Sequence, residues 1–167
     1  AIESGADCVK FQLRCLDELY SDDALNMSKG DLSTQYTLGL LKRFELKSDD
    51  FKKISEYCKS KNILFLCTPW DITSVDFLES IEVPAYKVAS ADMTNYPLLD
   101  YLCEKNKPLI VSTGMSTQKE IDDVFRYLKN RKNKISFALL HCNSTYPAPF
   151  KDINLNYMKK LMKYKIP

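Results

Sequence analysis

The sequence predicts an α/β fold, a partial (β/α)8 TIM barrel with about five parallel strands, and three observations lead there. Short β-rich runs recur along the chain, amphipathic helical patterns separate them, and polar side chains gather at the C-terminal ends of the runs. The runs are "CVKFQ" (8–12), "ILFLCT" (63–68), "AYKVAS" (85–90), "LIVST" (109–113) and "FALLHC" (137–142). They are too continuously apolar for a half-exposed sheet, and their alternation with helices implies right-handed βαβ units around a parallel sheet.

A doubly wound open sheet would show the same rhythm. The polar residues favour the barrel: Gln12, Thr68, Ser90, Ser112 with Thr113, and Asn143 with Ser144 close five successive strands. In a barrel all strand ends surround one site, whereas an open sheet concentrates its site near one switch point.

Each helical segment carries its own signals. In "SDDFKKISEYCKSKN" (48–62) Ser48 is the expected N-cap, acids fill the first turn, and Phe51, Ile54, Tyr57 and Cys58 fall at the spacing of one helix face. In "STQKEIDDVFRYLKN" (116–130) Ser116 or Thr117 caps, and Ile121, Val124, Phe125 and Leu128 face inward.

The chain has 167 residues, 45% of them hydrophobic and 28% charged, which suits one soluble domain with a real core. Lys and Arg number 24 against 22 acidic residues, a net charge of +2 with no dense basic block, so charge supports neither a nucleic-acid nor a membrane-surface role. No apolar run approaches the roughly 20 residues of a membrane helix, and there is no signal-peptide pattern. The six cysteines form no CxxC pair. Cys8, Cys67 and Cys142 lie in apolar strand-like runs, where a free thiol packs as a small hydrophobe, so a reducing cytoplasm is expected. The opening "AIESGAD" reads as a helix end entering a turn, so the chain is expected to be cut from something longer.

Two strands contain a lysine. Side chains alternate along a strand, so Val9 and Phe11 face the helices while Lys10 and Gln12 face the lumen; Tyr86 and Val88 likewise put Lys87 and Ala89 inside. A lumenal ammonium must be paired, be neutralised or meet an anion. Pairing with a lumenal carboxylate is one answer. Two lysines beside a ring of hydroxyls point to a phosphate- or carboxylate-bearing ligand, with Thr68, Ser90 and Ser112 and the backbone after "STG" as donors. His141, the one histidine, is expected to be a packed or hydrogen-bonded strand residue and not a ligand. Trp70 could line a pocket or pack under a loop, and Tyr146, stiffened by Pro147 and Pro149, is the better candidate for substrate contact.

With "GADCVKFQ", "FLCTPWD", "YKVASADMTNYPLL", "IVSTGM" and "LLHCNSTYPAPFKDINL" in this order, the chain resembles the sialic acid synthase family along essentially its whole length. That family includes N-acetylneuraminate synthases and the bacterial legionaminic and pseudaminic acid synthases. The resemblance implies that residues 1–167 are an internal part of the phosphoenolpyruvate-binding TIM-barrel domain. By the same resemblance the family's first strand with its glutamate, its later strands with two metal-binding histidines, and its C-terminal antifreeze-like (SAF) domain are expected to lie outside this segment.

The activity implied is condensation of phosphoenolpyruvate with an N-acetylated amino sugar aldehyde, N-acetylmannosamine first, to give a nine-carbon sialic acid-type 2-keto acid and phosphate. A diacetamido sugar would make the protein a legionaminic or pseudaminic acid synthase instead. By the same resemblance Lys10, Lys87 and Asp92 are catalytic, and Lys10, Thr68, Lys87, Ser90, Ser112 and Ser144 bind phosphoenolpyruvate. Gln12, Trp70, Asp92 and Tyr146 contact the sugar. Asp92 stands where many members carry glutamate, Trp70 where many carry phenylalanine, and Ser144 where some carry asparagine. The complete enzyme is expected to use a divalent metal, manganese or magnesium, with no ligand in this segment, and to be a cytoplasmic homodimer; the isolated segment is expected to be inactive. Two other readings share the lumenal lysines: a Schiff-base aldolase on the same barrel, and a non-catalytic anion-binding or scaffold barrel.

Overall fold

The computed structural model describes residues 1–26 and 32–167. Five strands, β1 (Cys8–Leu13), β2 (Leu64–Pro69), β3 (Tyr86–Val88), β4 (Leu109–Ser112) and β5 (Phe137–Leu140), form one parallel sheet in the order β1-β2-β3-β4-β5. Helices α1 (Leu16–Leu19), α2 (Asp22–Asn26), α3 (Leu32–Arg43) and α4 (Ser48–Ser60) lie between β1 and β2 in the chain. Then come α5 (Ile72–Ser80), α6 (Tyr96–Glu104), α7 (Gln118–Lys129) and, after β5, α8 (Tyr157–Leu161). A doubly wound sheet reverses direction at a switch point. Strictly sequential order with right-handed crossovers instead keeps every connecting helix on one face and leaves the other as the inner wall of a barrel. The fold is therefore the expected partial barrel.

The two faces separate as alternation requires. Phe65, Cys67, Tyr86, Val88, Leu109, Val111 and Phe137 are buried in one core with Phe51, Leu78, Leu99, Leu102, Ile121 and Val124 from the helices. Tyr86 anchors β3 to α5: its hydroxyl donates to Glu79, which also holds Lys107 at 2.5 Å. On β1, Val9, Phe11 and Leu13 pack against that core while Lys10 and Gln12 are exposed on the opposite face. No helix among the described residues is long and apolar enough to cross a membrane.

Several local expectations need correction. Lys47, not Ser48, caps α4, its backbone N–H donating to Asp50 at 3.3 Å. Tyr57 is 60% exposed, because it lies about 120° round the helix from Phe51; the buried stripe runs Phe51, Ser55, Cys58. At α7 the cap is Thr117, whose hydroxyl accepts from Glu120 N–H at 3.3 Å while the Glu120 carboxylate accepts from Thr117 N–H at 2.6 Å. Ile121, Val124 and Leu128 are buried as expected. Strand β5 stops at Leu140, so Cys142 lies beyond it and serves as a hydrogen-bond donor, not as a small strand hydrophobe.

Candidate active site

Lys87 sits at the centre of the sheet and is 7% exposed. Cys67 pairs with Tyr86 and Lys87 with Ile110, so the next residues in register put Thr68 beside Lys87 on the lumenal side. The Lys87 ammonium donates to the Val88 carbonyl at 2.6 Å and has no carboxylate partner among the described residues. Burial pushes its pKa down to about 8, and the nearby charge of Lys10 pushes the same way. Among the described residues no carboxylate meets Lys87 as the pairing alternative requires. Lys10 shares the lumenal face but is exposed on β1.

Hydroxyls stand at the C-terminal strand ends on both sides of β3, which carries Lys87. Ser112, 5% exposed, accepts from the Cys142 thiol at 3.2 Å. Ser90 accepts from the Gly114 N–H at 3.1 Å. A hydroxyl whose oxygen already accepts keeps its own proton for another acceptor, so both serines remain donors. Thr68 is buried on the neighbouring strand. Gly114 is what allows this closeness: a Cβ there would stand 3.1 Å from the Cys142 Cβ, the Cys142 carbonyl and the Ser90 hydroxyl.

A second cluster forms at the ends of β1 and β2. Gln12 Oε1 accepts from the Trp70 indole N–H at 3.1 Å and from the Arg14 guanidinium at 2.6 Å, and the guanidinium lies 4.7 Å above the Trp70 ring. Burial lowers the Arg14 pKa. Beneath them Asp71, 7% exposed, caps α5 by accepting from Ser74 N–H at 2.6 Å and pins the β1–α1 loop by accepting from Cys15 N–H at 2.6 Å.

Asp92 follows β3. One carboxylate oxygen accepts from Asn95 at 3.1 Å, and the other is buried with no partner among the described residues. Burial raises its pKa, with the Asp71 charge adding to the shift. Ser144 and Tyr146 lie on the segment after β5. Ser144 is exposed, lining a cavity of about 540 Å³ with Gly114, His141, Cys142 and Lys160. Tyr146 is 100% exposed. His141 lies 2.7 Å from the Ile153 carbonyl, the hydrogen-bonded role expected of it. Among the described residues no group of three or more His, Cys, Asp or Glu side chains could hold a metal ion, so they do not fit a metal centre.

Sequence reasoning missed Arg14, Asp71 and Gly114. The alternation that put Lys10 and Gln12 inside reaches Arg14 two residues on. Asp71 precedes a helical stretch with Ser74 three residues later, an N-cap signal. The crowding at Gly114 depends on β5 arriving beside it and has no local signature.

A family model described as "NeuB family" matches residues 1–166. The chain is 39% identical over 170 residues to the N,N'-diacetyllegionaminic acid synthase of Legionella pneumophila, a match covering 96% of this chain and 47% of that protein. It is 32% identical over 165 residues to the N-acetylneuraminate-9-phosphate synthase of Homo sapiens, covering 98% of this chain and 45% of that one. The crystal structure of the N-acetylneuraminic acid synthetase of Leptospira borgpetersenii in complex with citrate superposes with a TM-score of 0.84 at 30% identity, covering 99% of this chain and 54% of the other. The chain spans about half the length of the curated relatives it matches.

Proposed function

The chain belongs to the NeuB family, and from that premise we propose that it is the anion-binding part of a synthase joining phosphoenolpyruvate to an N-acetylated amino sugar aldehyde. The observation that carries the reading is Lys87: a buried ammonium with no carboxylate partner among the described residues, with Thr68, Ser90 and Ser112 at the ends of its own and the neighbouring strands. That arrangement suits a ligand that brings its own negative charge.

In this reading Lys87 and Lys10 hold the phosphate and carboxylate charges of phosphoenolpyruvate, and Ser90 and Ser112 donate to its oxygens. The enol carbon attacks the sugar aldehyde, forming the new carbon–carbon bond, while the aldehyde oxygen takes a proton. Water adds to the cationic carbon that remains and loses a proton, and the carbon–oxygen bond to phosphate then breaks to leave the 2-keto acid. Fixed donors around Lys87 meet the charge as it moves onto the departing phosphate. Gln12, Trp70 and Asp92 face the sugar.

Phosphate release from phosphoenolpyruvate by the full-length protein tests this, with N-acetylmannosamine and an N,N'-diacetylated sugar offered separately. The sequence resemblance put the first sugar forward, and the higher identity to the Legionella protein than to the human one favours the second. Release with either sugar, lost in Lys87→Met, supports the synthase; no release with any sugar refutes it. One observation favours a second reading: an amine with a pKa of about 8 could also be the nucleophile of a Schiff-base aldolase. Borohydride trapping of a substrate adduct on Lys87 would select it.

A further inference from the structure

We infer that Cys142 is a positioning residue: its thiol engages the Ser112 oxygen as an acceptor, so that the Ser112 hydroxyl is left to donate to an anionic ligand in the lumen. The inference deepens the synthase reading and rests on it for the identity of that ligand, phosphoenolpyruvate.

Ties between the ends of β4 and β5 build the contact. Ser112 pairs with Leu140, the last residue of β5. The Leu140 carbonyl accepts twice from Thr113, from the backbone N–H at 3.1 Å and from the hydroxyl at 2.9 Å. Two residues on, Cys142 lies against Gly114, where a Cβ would stand 3.1 Å from both the Cys142 Cβ and its carbonyl. Held in this way, the thiol meets the Ser112 hydroxyl oxygen at 3.2 Å. Ser112 is buried, and the thiol is the one partner its hydroxyl has among the described residues.

What each group can exchange sets the direction of the proton. A thiol sulfur is a weak acceptor and a hydroxyl oxygen a better one, so the S–H donates and the O–H turns away from it. Lys87 shares the neighbourhood: burial and Lys10 lower its pKa, and Cys142 is close enough to pull it back up. Lys87 cannot take the Ser112 proton, because an ammonium only donates. An oxyanion can take it. A hydroxyl that accepts while it donates is the stronger donor, since hydrogen bonds in a chain polarise one another. Cys142 therefore raises affinity for the anion without touching it.

Titration calorimetry of phosphoenolpyruvate on the full-length protein provides the test. Cys142→Ala, which removes the donor, is expected to weaken binding about fivefold, the factor one modest hydrogen bond supplies. Cys142→Ser keeps a donor and should recover most of the loss. In turnover the loss should appear in the KM for phosphoenolpyruvate and not in that for the sugar. A merely structural thiol would matter whatever stands at position 112, whereas a positioning one acts through the Ser112 hydroxyl. In a Ser112→Ala background Cys142→Ala should therefore cost nothing further. The same loss in both backgrounds, no loss in either, or no recovery in Cys142→Ser overturns the inference. A reading that needs no change at Cys142 is its Raman S–H stretch, identified by its absence in Cys142→Ser. Ser112→Ala should move that band to higher frequency, and a band left in place also overturns the inference. Absence of phosphate release with every sugar would sink the synthase reading instead. The inference is then judged from the same titrations with inorganic phosphate as the probe, and an affinity for phosphate that ignores Cys142→Ala, or no binding at all, overturns it.

Discussion

Lys10 and Lys87 are the same residue on the same face of one sheet, yet the fold treats them differently. Lys10 lies on the outer strand β1, open to solvent. Lys87 lies on the central strand β3 with β2 and β4 on either side, 7% exposed, its ammonium held by a backbone carbonyl and its pKa pushed down to about 8. Strand position, not residue type, decides which cation is costly to keep. In our account the costly one meets the phosphate, and the exposed one adds attraction that water and salt weaken.

Substituting the two lysines should separate them most strongly. Lys87→Met in the full-length protein is expected to weaken phosphoenolpyruvate binding by on the order of a thousandfold, and Lys10→Met by about tenfold, read by titration calorimetry. Equal losses would break the comparison. The next effect is on stability against pH. Lys87 has a folded pKa of about 8 against an ordinary 10.5, so between those values the unfolded chain binds the extra proton. Stability should therefore rise with pH across that window, by roughly 3 kcal/mol when complete. Denaturant midpoints from pH 7 to 11 should show the rise in wild type and in Lys10→Met and a smaller one in Lys87→Met. Affinity for phosphoenolpyruvate should fall over the same range as the ammonium is lost.

Smaller effects distinguish the two halves of the mouth. Gly114→Ala places a methyl 3.1 Å from Ser90 and Cys142, and should cost about 1–3 kcal/mol by thermal unfolding while weakening anion binding at Lys87. Asp71→Ala removes the α5 cap and the tie to Cys15. It should cost about 1–2 kcal/mol and impair the Gln12 side more than the Lys87 side, seen as a higher KM for sugar than for phosphoenolpyruvate.

The parts of the fold that depend on local pattern were legible in the sequence. Recurring β-rich runs found every strand, and alternation along two of them assigned Lys10, Gln12 and Lys87 to the lumen, opposite a buried helix-facing row such as Phe65, Cys67 and Tyr86, Val88. Capping was legible to within one residue: Thr117 was found, but at α4 the cap position is Lys47, whose backbone N–H donates to the Asp50 carboxylate, and no Ser48 hydroxyl accepts there. Ser90 and Ser112 are tied to Gly114 and Cys142, and Ser144 lines a cavity with those same two residues, whereas Tyr146 projects fully into solvent. The carboxylate lock of Asp71 across 56 residues and the crowding at Gly114 arise from tertiary contacts that no single segment encodes.

The central claim is that Lys87, a buried ammonium with no carboxylate partner among the described residues, binds an anion. The direct measurement is an NMR titration of its 13Cε resonance, assigned by its loss in Lys87→Met, in the full-length protein with and without phosphoenolpyruvate. The account expects a midpoint near 8 in the free protein and a clear upward move when phosphoenolpyruvate is bound. A free-state midpoint near the ordinary 10.5, or one that phosphoenolpyruvate leaves in place, would contradict it.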